Sequence, residues 1–359
     1  MESSSNQESE SQNNYYNINF FSESTEPSSD DNSFTQKSSI GKVDIDKFLI
    51  NIHTQKGSIT YQYLINQYSH EELNALFIQL TPFLISIMCS EYGNYFFQRL
   101  VLKLNVYQRL IIFHQIKNNF IQISANSSGT YSIQALISAI STEKEDKILR
   151  ELIQHNLLLM FTNENAHHVI QKIIIEFSEE RRKYINDCIF EKIDKICVNE
   201  YGYLCVIKFI NNNSSLLYRV ELIQAINKHF DDLLSNKFGC NVILYMMEKY
   251  GNGYSGFIFS EIKQNLISFS ISNKVSIPLV IKVLNYMNKY YRYNFINLIW
   301  EIFKEDQVLE CLINHQKGID IILTLVKYST KEQKQYFKLK SHSLFRNKIG
   351  DNKLFLLLI

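Results

Sequence analysis

Three prolines and eleven glycines in 359 residues are too few to turn short strands back every ten residues or so, which disfavours an all-β sandwich or barrel. The six cysteines (Cys89, Cys188, Cys197, Cys205, Cys240, Cys311) contain no Cys-x-x-Cys pair, and no histidine pair at i, i+4 has a third ligand nearby. Neither a disulfide framework nor a zinc site is indicated. The longest purely apolar run, residues 354–359, is too short to span a bilayer, and the polar, acidic start has no basic segment leading into an apolar one. No membrane association, metal or cofactor is expected, and the default compartment is the reducing cytoplasm, with the nucleolus as the alternative. Charge of one sign is also scarce, since the formal net charge is +1. That total hides an asymmetry. Residues 1–46 hold nine acidic and two basic side chains, while the rest holds 35 basic and 27 acidic, a mild +8 that suits a polyanionic partner without demanding one.

What is present is a 45% hydrophobic content, enough for a sizeable core, in Leu-, Ile-, Lys-, Asn- and Glu-rich runs that favour helices. Residues 1–42 are Ser, Asn, Glu and Gln with few large aliphatics, and are expected to form a disordered acidic tail. Its cluster Tyr15, Tyr16, Phe20 and Phe21 has the makings of a short docking motif. From about Val43 one pattern recurs: a small residue, two variable residues, two apolar residues, then often Gln. The small residues are Gly57, Gly93, Gly129, Ala166, Gly202, Gly239, Ser276 and Gly318, with gaps of 36, 36, 37, 36, 37, 37 and 42. Six of the eleven glycines share this one place. A fixed period of this length means stacked helical units that cannot cover their own apolar faces alone, with the small residue opening a second helix and permitting close approach. Residues 43–359 are therefore expected to form an all-α solenoid of eight units plus a C-terminal cap.

The chemistry lies in the five residues after each small one. In Asn94-Tyr95-Phe96-Phe97-Gln98 the first and fifth places are i and i+4, so their amides share one helix face, with Tyr95 about 100° around at its edge and the two phenylalanines turned inward. Two amides beside one ring are the groups needed to read a base edge and stack on its face. The corresponding sets are Ser58, Ile59 and Gln62; Thr130, Tyr131 and Gln134; His167, His168 and Gln171. In the second half they become Tyr203, Leu204 and Ile207; Cys240, Asn241 and Leu244; Ile277, Pro278 and Ile281; Ile319, Asp320 and Leu323, and the glutamine is lost throughout.

This pattern resembles the Pumilio (PUF) family over about residues 43–340. The resemblance implies a right-handed, crescent-shaped α-solenoid of eight Pumilio-type repeats, monomeric, which binds single-stranded RNA, antiparallel, along a concave face. It implies that first- and fifth-place side chains contact one base edge and that second-place side chains stack between bases. Asn94, Tyr95 and Gln98 match the family's uracil-reading set, so a U-containing RNA is expected. Thr130, Tyr131 and Gln134 lean the same way. His167, His168 and Gln171 alter the first contact, and Ser58, Ile59 and Gln62 suit adenine or a loosely read base. No unit has Glu in the fifth place, so the family's means of preferring guanine is missing.

Four consecutive units with Gln in one place argue against accident, and base reading is expected to concentrate there. The second half would hold RNA loosely, through Tyr203 stacking beside Leu204 and through phosphates, or present an apolar face to a protein partner. Arg99, Lys172 and Lys208, each following a fifth place, are solvated or face phosphates. Gly251, Gly253 and Gly256 read as a loop between the sixth and seventh units. The expected function is sequence-selective binding of mRNA 3′ untranslated regions with control of translation or decay, without catalysis. The alternative is a protein-binding scaffold or a low-selectivity RNA binder in ribosome assembly.

Overall fold

The computed structural model describes residues 44–344, and the expected tail (1–42) lies outside them, as does the end of the chain beyond 344. Among the described residues every regular element is helical. The first unit comprises α1 (Ile45–Ile52) and α2 (Gln55–Leu64), and the second α3 (His70–Leu80), α4 (Leu84–Met88) and α5 (Gly93–Val101). The third has α6 (Val106–Ile116), α7 (Phe120–Ala125) and α8 (Gly129–Ser138); the fourth α9 (Glu143–Ile153), α10 (Leu157–Thr162) and α11 (Ala166–Glu176). The fifth has α12 (Lys183–Glu191), α13 (Ile193–Ile196) and α14 (Gly202–Asn211), and the sixth α15 (Leu216–Lys228), α16 (Phe230–Leu234) and α17 (Lys237–Tyr250). The seventh is built from α18 (Asn252–Ile271) and α19 (Ile277–Tyr290), the eighth from α20 (Arg292–Lys304), α21 (Asp306–Asn314) and α22 (Gln316–Tyr328), and α23 (Lys331–Leu344) caps the stack.

The eight-unit solenoid expected from the period is thus present, with one change in anatomy. Most units contain three helices, because a short helix separates the long one from the motif helix. In the second unit Pro82 sits in a 3-10 turn (Thr81–Phe83) that ends α3, and Leu84, Ile87 and Met88 then bury themselves in the separate α4. The motif helix is therefore the third of its unit, not the second. Motif helices pack in one row, α2 on α5 and onward through α8, α11, α14, α17, α19 and α22, while the long helices pack in a second, for example α6 on α9 and α20 on α23.

Local chemistry explains the boundaries. Three successive long helices open with a capping box, Ser69 with Glu72, Asn105 with Gln108, and Thr142 with Glu145, satisfying backbone donors at both positions. Glu145 also takes the Arg109 guanidinium at 2.7 Å in a buried pair that ties α6 to α9. Ahead of the motif helices of units one to six an Asn or hydroxyl three residues before the small residue caps the turn. Asn126 and Asn163 accept from the N–H groups of Gly129 (2.8 Å) and Ala166 (2.9 Å), Asn199 from Gly202 (2.9 Å), and Ser90 from Gly93 (3.0 Å).

The motif glycines serve a close approach, though within a unit and not between neighbours. A Cβ on Gly129 would stand 2.4 Å from the Ile123 carbonyl oxygen, and one on Gly202 would stand 2.3 Å from that of Ile196. All six motif glycines meet the carbonyl six residues earlier, at the end of the preceding helix. Gly251, by contrast, has φ +60 and makes the turn between α17 and α18 alone. Gly253 and Gly256 lie inside α18, so the loop expected around the three glycines is a single-residue turn into a helix.

Candidate nucleic-acid interface

Seven of the eight motif helices leave the same two places at least partly open. The second place is exposed or half-buried in all eight units, from Ile59, Tyr95 (47%) and Tyr131 (53%) through half-buried His168 to Leu204, Asn241, Pro278 and Asp320. The fifth is half-buried in all but the fourth. In units two to six and in the eighth the third and fourth places, Phe96 and Phe97 for example, are buried, while Thr60, Tyr61 and Leu279 are half-buried. This shared register extends through the seventh unit, where Pro278 occupies the first turn of α19, a position that has no intrahelical N–H to lose.

The first place behaves differently from expectation. Ser58, Asn94, Thr130 and His167 are all buried, as are Cys240, Ile277 and Ile319. Asn94 is 2% exposed, and its amide donates to the carbonyls of Ser90 and Glu91, both at 2.8 Å. Its oxygen accepts from Gln98 Nε2 at 2.9 Å. Two amides are therefore not presented side by side; Asn94 holds Gln98, and only Gln98 faces outward. The same arrangement recurs twice. Gln62 Nε2 donates to Ser58 Oγ (3.1 Å) and Gln134 Nε2 to Thr130 Oγ1 (3.3 Å). The two hydroxyls themselves donate across the unit boundary, to the Tyr92 carbonyl (2.7 Å) and the Asn165 carbonyl (3.0 Å). Each glutamine is thus oriented, with its oxygen and one N–H left for a partner.

The fourth unit is a variant. Gln171 is only 3% exposed and lies against the Cys205 thiol of the next motif helix, so it is closed in where Gln98 and Gln134 are half-open. His167 Nδ1 sits 3.1 Å from the Asn163 carbonyl, which only accepts, so this nitrogen carries the proton. Burial, with His168 alongside, pushes the His167 pKa down to about 4, and burial also lowers that of His168. The rings lie close together but tilted, with centroids 3.9 Å apart and 37° between their planes.

In the fifth unit Tyr203 is not an open platform. Its ring stacks on Phe238 at 5.1 Å, so one face is already covered. Leu204 beside it is exposed. Burial raises the thiols of Cys188 and Cys240 to about 11 and those of Cys197 and Cys205 further, which leaves these four as protonated core or wall groups. Among the described residues no three His, Cys, Asp or Glu side chains gather as a metal site would require. None of the described helices is long and apolar enough to cross a membrane. The orienting role of the first place, and the cap three residues before the small one in units one to six, escaped the sequence reading. The cap was findable, because Thr54, Ser90, Asn126, Asn163, Asn199 and Asn236 repeat at the same period.

The comparisons agree with this architecture. The profile of the Pumilio-family RNA binding repeat matches residues 84–117, 119–153, 162–185 and 229–263. Among curated proteins, a Pumilio domain-containing protein of Schizosaccharomyces pombe is 27% identical over 194 residues, covering 54% of this chain and 28% of that protein. Suppressor protein MPT5 of Saccharomyces cerevisiae is 26% identical over 180 residues, 48% of this chain and 21% of its own. The chain thus spans less than a third of the length of either. Among solved structures, the Puf4 RNA binding domain bound to an HO endonuclease RNA 3′ UTR recognition sequence superposes with a TM-score of 0.64 at 20% identity, covering 86% of this chain and 97% of that one. The RNA-binding domain of yeast Puf5p bound to AAT2 RNA gives 0.60 at 20% identity, with 87% and 94% covered. These likenesses establish the helical-repeat fold, and the four matched segments identify Pumilio-family RNA binding repeats within the chain.

Proposed function

We propose that this chain binds single-stranded RNA along the row of motif helices, reads bases chiefly through units one to four, and thereby controls the translation or decay of messages in the cytoplasm. The observation that carries this reading is the oriented glutamine. In three consecutive units an outward-facing amide is held by a buried first-place oxygen beside an exposed second-place side chain, a ring in two of them. An oriented amide can donate to and accept from one base edge, while the ring covers the base face. The RNA-bound domains of Puf4 and Puf5p share this fold, which supports the same class of ligand. The contributing side chains are Gln62, Gln98 and Gln134, with Ile59, Tyr95, Tyr131 and His168 as platforms. Ser58, Asn94, Thr130 and His167 act behind them as positioning residues. Catalysis is not part of the proposal.

Replacing Gln98 with Ala is expected to weaken binding to a U-rich oligonucleotide by about 1–3 kcal/mol, the worth of an amide-to-base contact. Tyr95→Ala should remove a stacking contribution of about 1–3 kcal/mol. Titration of labelled RNA measures both, and wild-type affinity in both variants would remove the motif face from RNA recognition. A second reading, a scaffold for a protein, is favoured by the aliphatic fifth places Ile207, Leu244, Ile281 and Leu323. Selection from a random RNA pool separates the two readings, since a scaffold enriches no motif.

A further inference from the structure

The place after the fifth carries a cation in four units: Arg99, Lys172, Lys208 and Lys282. On a helix this sixth place lies next to the second and fifth, on the same side. The structure puts it on the motif face directly. Lys282 Nζ donates to Asn241 Oδ1, the second-place side chain of the preceding unit, at 2.9 Å. The sixth-place Tyr245 reaches back in the same way, donating to Asn211 Oδ1 at 2.7 Å. Lys172 leans on Glu176 at 2.7 Å, within its own helix. The cationic row therefore continues from the glutamine-bearing units past the last glutamine. Beyond that point the fifth places are aliphatic and half-buried, and no second place has an aromatic ring.

An aliphatic side chain offers no hydrogen bond to any base edge, so it cannot distinguish one base from another beyond size. A lysine beside it attracts any phosphate regardless of sequence. We infer that the motif face of units five to seven is a base-blind track for the sugar–phosphate backbone of the same single strand, with Lys208 and Lys282 as its phosphate contacts. The track ends at the eighth unit, where the second place is the exposed Asp320 and the sixth is the buried Thr324, an arrangement that repels or ignores a phosphate. This inference rests on the proposed RNA binding and adds a second, nonselective part to the site. Binding would then depend on the sequence of one stretch of RNA and only on the presence of the adjoining one.

The test uses the full chain, a short U-rich oligonucleotide sized for four units, and longer ones extended on either side with A, C or U. Extension on one side is expected to raise affinity on the order of tenfold whichever base is added, and the Lys208→Ala, Lys282→Ala double variant should lose that gain. Its slope of log affinity against log salt for the long RNA should fall by about 1.4, at about 0.7 per phosphate on a single strand. Binding of the short oligonucleotide should be unchanged. The inference is overturned if the identity of the added bases matters as much as their presence. It is equally overturned if extension adds nothing and the double variant matches wild type, the result expected of a protein-binding face. Should the short oligonucleotide fail to bind, the base-reading proposal falls. The track is then judged on homopolymeric RNA, where an unchanged salt slope in the double variant rejects it.

Discussion

Units one to four and units five to eight share a backbone register, yet they present different chemistry from the same places. In both halves the first place is buried with the single exception of Tyr203, and the second place faces outward. What differs is whether the first place offers an oxygen. Ser58, Asn94 and Thr130 do, and each is paired with a glutamine four residues on. Tyr203 is engaged with Phe238, the Cys240 thiol points at the Leu279 carbonyl (3.9 Å), and Ile277 and Ile319 have nothing to offer. The small residue, the cap and the buried apolar pair keep the helices stacked, so the face can change its chemistry without disturbing the solenoid. Glutamine and oxygen anchor occur together in units one to three, the fourth keeps Gln171 beside His167, and units five to eight have neither pairing.

The largest expected effect separates the two halves by pH. Of all the first-place side chains only His167 has an ordinary pKa near neutrality, and burial lowers it from 6.5 to about 4. The unfolded chain takes up this proton at a higher pH than the fold does. Stability is therefore complete above pH 6.5 and falls as the pH drops toward 4, by about 3 kcal/mol over that window. Denaturant unfolding at pH 5 and pH 7.5 measures this, and His167→Asn should flatten the difference. An unaltered pH dependence in the variant would mean that the sensitivity lies elsewhere and that the fourth unit is not set apart. Between pH 6.5 and 8 both imidazoles stay neutral, so RNA affinity should not change with their titration.

A smaller effect contrasts two glycines. Gly129→Ala forces a Cβ to within 2.4 Å of the Ile123 carbonyl, a backbone group that cannot move without displacing α7, and should cost about 1–3 kcal/mol. Gly256, in the second turn of α18, has nothing within 4 Å of the same added atom. Gly256→Ala should therefore stabilise by about 0.5–1 kcal/mol, through helix propensity alone. Thermal melts of the two variants should move in opposite directions, and a shared direction would dissolve the distinction between a glycine needed for approach and one merely tolerated.

These two glycines also mark how far the sequence could be read. The period, the eight units and the register of the motif were visible because small residues at fixed spacing answer a steric demand that a large side chain cannot meet. Gly251, Gly253 and Gly256 carried the same letters without that demand, and spacing could not tell a turn from a helix interior. The side chains of Asn94 and Gln98 posed a related difficulty. Helical periodicity put them on one side, but it could not show that Ser90 and Glu91 offer open carbonyls that draw the Asn94 amide inward. The short middle helix of the three-helix units was hidden for a similar reason, since Leu84, Ile87 and Met88 read as one apolar run with α3 until the 3-10 turn at Pro82 divides them.

The smallest expected effect would convert part of the second half into the first. Leu244→Gln alone should add no base preference, because Cys240 gives the new amide no firm acceptor and leaves its orientation open. Cys240→Ser with Leu244→Gln rebuilds the pairing of Ser58 with Gln62, in which one hydroxyl donates to a carbonyl of the next unit and accepts from the glutamine. The double variant should gain about 1 kcal/mol of discrimination at one added nucleotide, the lower end of an amide-to-base contact, while overall affinity changes little. Competition between oligonucleotides differing at that nucleotide reads the difference. If Leu244→Gln performs as well alone, the buried oxygen is dispensable, and the two halves differ only by their glutamines.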